Sequence, residues 1–378
     1  MSANTRYNLS RLFEGDKVIW MILFFLCSIS ILEVYSASSN MSYEKGNFWS
    51  PVLMHSLYIG IGLLVAWFVH RIPCRFFGWI VVAGPLLSVV LLATAYFYGA
   101  VNETHRFMNI LGISFQPSEI AKGSLVVVVA WLLSVMRDEE GATPSAFKWI
   151  LGFTGVICAL IVTENLSTAA IAFLVVLMMM FVGRVPWRLM GPLIGLLTLA
   201  GALGYATLKF TPEEVLDSLD DTPVLKRLPT WAHRMRDHVE FPADPDSFDI
   251  TTNPQIVQSH IAIATCNVIG RGPGNSTVRD FLPQAYSDFI FAIIIEELGL
   301  VGGIFVVLFY IALLIVTQAL INMSVAVGLI PVTGQPLPLV SRGGTSIMVN
   351  CAYIGMMLSI SRTARLQSED KVPKSKLI

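Results

Sequence analysis

The sequence predicts an all-α, polytopic membrane protein with about ten transmembrane helices and one long external loop. Three observations carry this. Hydrophobic residues make up 54% of the 378 and charged residues only 13%, against about 25% charged in a soluble domain. Apolar runs close to the length of about twenty residues that crosses a bilayer recur along the chain. Lys and Arg gather in alternate loops between those runs, as the positive-inside rule requires. The formal net charge is −1, which leaves no global electrostatic footprint for nucleic acid. The five cysteines are scattered singly, without a CxxC or Cys/His cluster, so neither a zinc site nor a disulfide framework is indicated.

Taken in order, the first run, 18–37, follows Arg6, Arg11 and Lys17. No small-residue cleavage site stands behind a short apolar core, so it reads as a retained helix rather than a signal peptide. Runs at 52–70 and 76–98 flank Arg71 and Arg75. The run 117–136 opens on Pro117, suited to a first helical turn, with Ser118 or Gln116 placed to cap it. Runs at 147–163, 167–182 and 188–208 come next, with Arg137 and Lys148 about the start of the first of them and Arg184 and Arg188 about the start of the last. A polar stretch from 211 to about 256 gives way to a less polar 257–287, then to apolar 288–332 and 344–360 and a tail with Arg362, Arg365, Lys371, Lys374 and Lys376. Charge alternation predicts both ends in the cytoplasm, with 99–116, 211–287 and 333–343 outside. The expected organisation is a single membrane domain over 1–378, within which 211–287 forms the large external loop. An even number of crossings then requires two within 288–332, an interval barely long enough and without a Lys or Arg to mark a turn. The expected solution is a helix from about 288 to 309, a tight break within 308–319, and a second helix ending near Val332. One long helix, giving nine spans and an external tail, is the alternative.

Four polar stretches fall on the external side of this topology: 102–122, 227–242, 270–288 and 328–346. Their convergence on one face is what a site at the membrane surface needs. Glu119 and Lys122 are three apart at a helix start, so they share a face and can pair; read blandly, they are an interfacial ion pair with a snorkelling lysine. Asp288 opens an apolar run, where a carboxylate is a functional candidate or an N-cap on the positive end of a helix dipole. Glu296 and Glu297 sit deeper in that run and point about 100° apart, which predicts different partners and a packing or cavity-lining use. Gly272-Pro273-Gly274 and Gly343-Gly344 suit either turns or close backbone approach to a ligand.

The stretches FQPSEIAK, GRGPGNS…FLPQAYSDFIFAIIIEELG and QALINMSVAVGLIPVTGQPLPLVSRGGTS together resemble the SEDS family (shape, elongation, division and sporulation). Lesser echoes are VYSASS at 34–39, Arg227 to Arg234, and Gln255, Gln258 and Ser259. The resemblance covers nearly the whole chain and implies a ten-helix glycosyltransferase acting on lipid II, a disaccharide-pentapeptide carried on undecaprenyl diphosphate. It makes Asp288 the essential acid, and places Glu119 and Lys122 near it in a shared cavity. Gln116, Ser118 and Pro283 belong to the same motifs, as do Ser341, Arg342, Gly343, Gly344, Thr345 and Ser346; all are implied substrate contacts. Departures from the family pattern are Asn102 to Phe107, which keeps Arg106 but replaces a Gly and a Trp, and Asn165-Leu166-Ser167-Thr168 in place of Asp-Leu-Gly-Thr. Arg342 replaces an aromatic or His, and a basic cytoplasmic loop is missing within 288–332.

The chemistry so implied joins a sugar 4-hydroxyl to an anomeric carbon and expels a lipid diphosphate. A weak nucleophile calls for a carboxylate base, here Asp288. The leaving group calls for positive charge, from Lys122, Arg106 and Arg342 or from a divalent cation. The resemblance also implies partners: a class B penicillin-binding protein transpeptidase and other division proteins. The loop 211–287, with Trp231 and Phe241 as apolar anchors, is the expected docking surface. Two other classes of function fit the same composition: a lipid II flippase, which needs acids near mid-membrane, and a scaffold without chemistry. The external position of the motifs favours the polymerase, serving division or, alternatively, elongation.

Overall fold

The structure, a computed structural model, describes residues 13–37, 49–98, 108–110, 113–139, 141–163, 165–212, 232, 254–281, 289–313, 323, 337–341 and 344–371. Ten α-helices occur among them: α1 Lys17–Ala37, α2 Ser50–Val69, α3 Gly78–Tyr98, α4 Pro117–Val135, α5 Pro144–Val162, α6 Leu166–Val182, α7 Trp187–Phe210, α8 Pro254–Ala264, α9 Ile290–Leu313 and α10 Gly344–Lys371. Eight of these helices are long and apolar enough to cross a membrane, and α6 is a shorter apolar one. The chain is a multi-pass membrane protein. A small antiparallel hairpin, β1 Met108–Ile110 with β2 Ile113–Phe115, precedes α4.

Periodicity located α1 to α7 and the start of α10 to within three residues, because a bilayer-length apolar run has one way to satisfy its backbone. Local signals set the ends. Thr143 caps α5 by accepting the Ala146 N–H at 3.3 Å, and Asn165 caps α6 by accepting the Ser167 N–H at 3.0 Å. Pro117 does stand in the first turn of α4, but neither predicted cap operates, since Gln116 makes no side-chain bond to the helix N-terminus. Its amide instead donates to Ser118 Oγ at 3.1 Å.

Two apolar clusters form the interior. One joins α1, α2, α8, α9, residues 337–340 and α10; the other joins α3 to α6 with the start of α7. α10 packs along α2 and α3 along α4, while α10 also touches α4 and β2 across the boundary. The outward surface is apolar, with Trp79, Leu86, Phe181 and Phe210 well exposed, as befits a solvent of lipid chains. Polar side chains turn inward: Ser30, Glu33, His55, Glu119, Glu296 and Glu297 are all buried.

The ends of α1 and α10 meet on one face. Arg362 approaches Glu14 at 3.4 Å and Arg365 approaches Asp16 at 3.9 Å. Arg362 also donates to the Arg71 carbonyl at 3.2 Å, and Cys74 Sγ lies 3.2 Å from Thr363 Oγ1.

α9 differs from expectation. It does not run straight from 288 to 309; Gly299 (φ 77°, ψ 179°) breaks it into 290–298 and 300–313. A Cβ built on Gly303 would lie 3.0 Å from Ile295 Cγ1 and 3.9 Å from Phe291 Cζ. On a straight helix residues 291 and 303 stand about 18 Å apart, so the two halves fold against each other. The break anticipated within 308–319 is not found at 308–313, which is helical. The remainder of that interval and the second helix expected to end near Val332 lie outside the described residues.

Candidate functional site

The buried pair Glu119–Lys122 begins α4. Lys122 Nζ donates to Glu119 Oε1 at 2.8 Å, with side-chain exposures of 11% and 2%. The pair expected from the i, i+3 spacing is formed, and it is largely covered by protein rather than exposed. Ser118 and Gln116 are buried beside it. Tyr353 of α10 donates its hydroxyl to the Glu119 carbonyl at 2.6 Å, and its ring lies over Gly123, where a Cβ would fall 2.2 Å from the Tyr353 hydroxyl oxygen. α4 and α10, far apart in sequence, are thus fixed together at the pair.

The second polar centre lies where α9 turns. The loop 267–279 crosses that turn and satisfies the helix ends on both sides of it. Arg271 and Gly272 donate their N–H groups to the carbonyls of Glu296 and Glu297 at 3.1 and 2.8 Å, while Leu300 and Val301 donate to the carbonyls of Asn267 and Val268 at 3.2 and 3.3 Å. The side chains repeat the grip. Glu297 accepts the N–H of Gly274 at 2.8 Å and that of Ser276 at 3.2 Å, and also the hydroxyl of Ser36 on α1. Glu296 accepts Ser276 Oγ at 2.5 Å, Thr277 N at 3.0 Å and Thr277 Oγ1 at 2.8 Å, with Arg271 at 3.4 Å. Arg279 closes the cluster, donating to Ser36 Oγ at 2.9 Å and to the Gly274 carbonyl at 2.8 Å.

The adjacent glutamates accept from different donor atoms, as their separation of about 100° predicts, but nearly all of those donors belong to one loop rather than to separate packing partners. They stand in the last turn before Gly299, and the loop curls around that helix end. Side chains 100° apart therefore meet successive residues of one loop, sharing Ser276. The glycines of GRGPG are also resolved at one position: Gly270 (φ +81°) approaches Gly299, and a Cβ on it would fall 2.3 Å from Glu297 O and Gly299 N.

α1 supplies a third polar line. Ser30 lies 2.7 Å from His55 Nε2 and donates to the Val340 carbonyl at 3.0 Å. Glu33, one turn further on, is fully buried, and among the described residues neither of its carboxylate oxygens has a hydrogen-bond partner. Its electrostatic neighbour is Glu297. Ser341 is buried and its Oγ accepts the Leu337 N–H at 2.8 Å, while Thr345 and Ser346 are buried at the start of α10. Gly344 seats against Tyr58, whose ring atoms would come within 3.1 Å of a Cβ there.

Of the candidate residues, Gln116, Ser118, Glu119, Lys122, Ser341, Gly344, Thr345 and Ser346 are described. Asp288, Arg106, Pro283, Arg342 and Gly343 lie outside the described residues, as does most of 227–242. Asp288 was expected to open a helix at an exposed outer edge; the described residues that follow it, Phe289 and Ile290, are fully buried. Among the described residues no group of three or more His, Cys, Asp or Glu side chains is placed to hold a metal ion. Sequence reasoning passed over Ser36, Arg279 and Tyr353. The signal for the α9 turn was present in EELGLVGG, where two acids precede three closely spaced glycines.

The chain matches the FtsW/RodA/SpoVE family, described as cell cycle protein, over residues 16–315 and 310–366. The two matched segments meet at 310–315, inside the interval where the sequence showed no connector. The probable peptidoglycan glycosyltransferase FtsW of Halomonas elongata is 30% identical over 93% of this chain and 92% of its own. The peptidoglycan glycosyltransferase MrdB of Escherichia coli K12 is 27% identical over 94% and 95%. Among solved structures, a chain from a study of polymerization and crosslinking by a peptidoglycan synthase complex superposes with a TM-score of 0.66 at 22% identity, over 92% of this chain and 98% of that one; the likeness is one of fold.

Proposed function

The chain belongs to the FtsW/RodA/SpoVE family of cell cycle proteins, and from that membership we propose that it is a peptidoglycan glycosyltransferase that polymerises lipid II at the outer face of the cytoplasmic membrane. The observation that carries the reading is likeness along almost the whole chain to proteins bearing that activity in their names, at 30% identity to an FtsW. Identity alone does not separate the two roles, since FtsW relatives run from 26% to 30% and MrdB stands at 27%; the FtsW name borne by relatives in several organisms favours a role in septal synthesis. The Glu119–Lys122 pair, fixed to α10 through Tyr353, supports the reading by placing a carboxylate and a lysine where the two helical clusters meet.

In this reading Asp288 is the catalytic base. It takes the proton of the acceptor 4-hydroxyl as that oxygen bonds to the donor's anomeric carbon, and the bond from that carbon to the undecaprenyl diphosphate breaks. Lys122, Arg106 and Arg342 offset the charge gathering on the departing diphosphate. A divalent cation is the other means of doing so. Glu119 holds Lys122 in place. Ser341, Thr345 and Ser346 line the approach, with the backbone of Gly343 and Gly344. A transpeptidase of the class B penicillin-binding type is the proposed partner, consistent with the crosslinking named for the structural relative.

Asp288→Asn decides the matter. With purified lipid II and the cognate transpeptidase, wild type forms glycan strands and the variant loses at least the ~10²-fold typical of removing a general base. Undiminished polymer from Asp288→Asn refutes the assignment of the base. Lipid II translocation without polymer, in proteoliposomes of the wild type, identifies a flippase instead.

A further inference from the structure

The geometry points to Glu296 and Glu297 as positioning residues for the proposed glycosyl transfer: together they lock the loop 267–279 onto the turn of α9, and so fix both ends of the short segment that bears Asp288. The inference rests on the polymerase reading for its catalytic half and on the described geometry alone for its mechanical half.

The clamp is built for grip rather than for solvent contact. Glu296 and Glu297 are 0% and 1% exposed, and burying two carboxylates is costly unless each is well bonded. Each carboxylate is supplied accordingly: Glu297 by two backbone N–H groups and a hydroxyl, Glu296 by one backbone N–H, two hydroxyls and Arg271. Charge-assisted bonds of this kind are about twice as strong as neutral ones. The donors are all loop residues except Ser36, and Ser36 carries the grip to α1, where Arg279 also bonds it.

The consequence lies in chain length. The clamp ends at Arg279, which begins the short 3₁₀ turn Arg279–Phe281. α9 begins at Ile290 after the fully buried Phe289. Between Phe281 and Phe289 the chain has only seven residues, Asp288 the last of them. Both flanks of that segment are therefore referred to one rigid body, the folded-back α9, and the glutamates that secure the far flank stand on the same helix as the near one. A displacement of about 1 Å in a catalytic group is enough to lower a rate by ~10²-fold.

Glu297→Gln tests this. The amide is isosteric, but its NH₂ faces a backbone N–H and cannot accept from it. Ser276→Ala attacks the other half of the clamp from the loop side: it removes one small hydroxyl, the donor to Glu296 and the acceptor of the Arg279 N–H. Hydrogen exchange of the full-length protein in its transpeptidase complex reads the clamp. Lipid II polymerisation reads its effect. In Glu297→Gln the amides of Gly274, Ser276 and Thr277 are expected to exchange faster by about tenfold or more, while kcat falls by roughly ten- to a hundredfold and KM for lipid II changes little. Glu297→Asp, which keeps the acceptors, recovers part of both. Unchanged exchange in both Glu297→Gln and Ser276→Ala overturns the clamp. Faster exchange with wild-type kcat overturns the positioning role. A wild type that makes no polymer at all refutes the polymerase reading and the catalytic half with it, while faster exchange in the variants would still establish the clamp.

Discussion

Glu119 and Lys122 form a pair whose value depends on burial. An exposed pair contributes about 0–1 kcal/mol, and removing Lys122 would then be silent. With the Glu119 side chain 2% exposed, removing Lys122 leaves a buried carboxylate without its cation, which costs roughly 3–5 kcal/mol. Lys122→Ala is therefore expected to lower thermal stability as well as polymerisation. Glu119→Ala with Lys122→Ala should recover much of the stability and none of the activity, if Lys122 serves the diphosphate. Recovery of both in the double variant would mark the pair as structural only. Glu33 is the opposite case, a buried carboxyl with no hydrogen-bond partner among the described residues. Leaving a polar group unsatisfied costs about 1–3 kcal/mol, so Glu33→Leu should raise the melting temperature in detergent. A lower melting temperature would show that the carboxyl stabilises the fold and refute this prediction.

At the scale of the element, α9 shows why a run that reads as one span need not be one. Its composition is continuously apolar, and hydropathy alone cannot see a backbone reversal. What permits the reversal is Gly299, where a Cβ would fall 2.4 Å from Gly270 N and Ile269 C. Gly299→Ala meets backbone atoms that cannot swing away, in a conformation costing a side chain about 1–3 kcal/mol by itself. It is expected to destabilise the protein by at least about 2 kcal/mol and to free the loop in hydrogen exchange. Gly274→Ala shares the positive φ (+85°) but has nothing within 4 Å, so it should show the conformational strain alone. Equal effects from the two substitutions would refute the close approach. The spans α1 to α7 were legible because each is a single, predominantly apolar run of about bilayer length. The clamp was not, because Ser36, Ser276 and Glu297 are brought together by the fold over separations of 20 residues and more. The local cue, a pair of acids before three glycines, says that something is bonded there but not what.

For the molecule as a whole, the question is how many times the chain crosses. Basic residues predicted an even number, with both ends on one side. The packing agrees on sidedness: Arg362 and Arg365 reach Glu14 and Asp16, and Arg362 bonds the Arg71 carbonyl. These contacts gather the start of α1, the end of α2 and the end of α10 on one face. They also give the part of α10 just beyond the span expected to end at 360 a purpose: it carries Arg362 and Arg365 to their acids. Exposed ion pairs of this kind are individually weak, so the arrangement is set by where the helices end, and it survives loss of any one pair. Single cysteines placed at Asp16 and Arg365, in a variant lacking the native five, should therefore react with a membrane-impermeant reagent from the same side. A cysteine at the exposed Asn275, on the loop that caps α9, should react only from the other. Labelling of Arg365Cys together with Asn275Cys, and apart from Asp16Cys, would require an odd number of crossings and overturn the even topology.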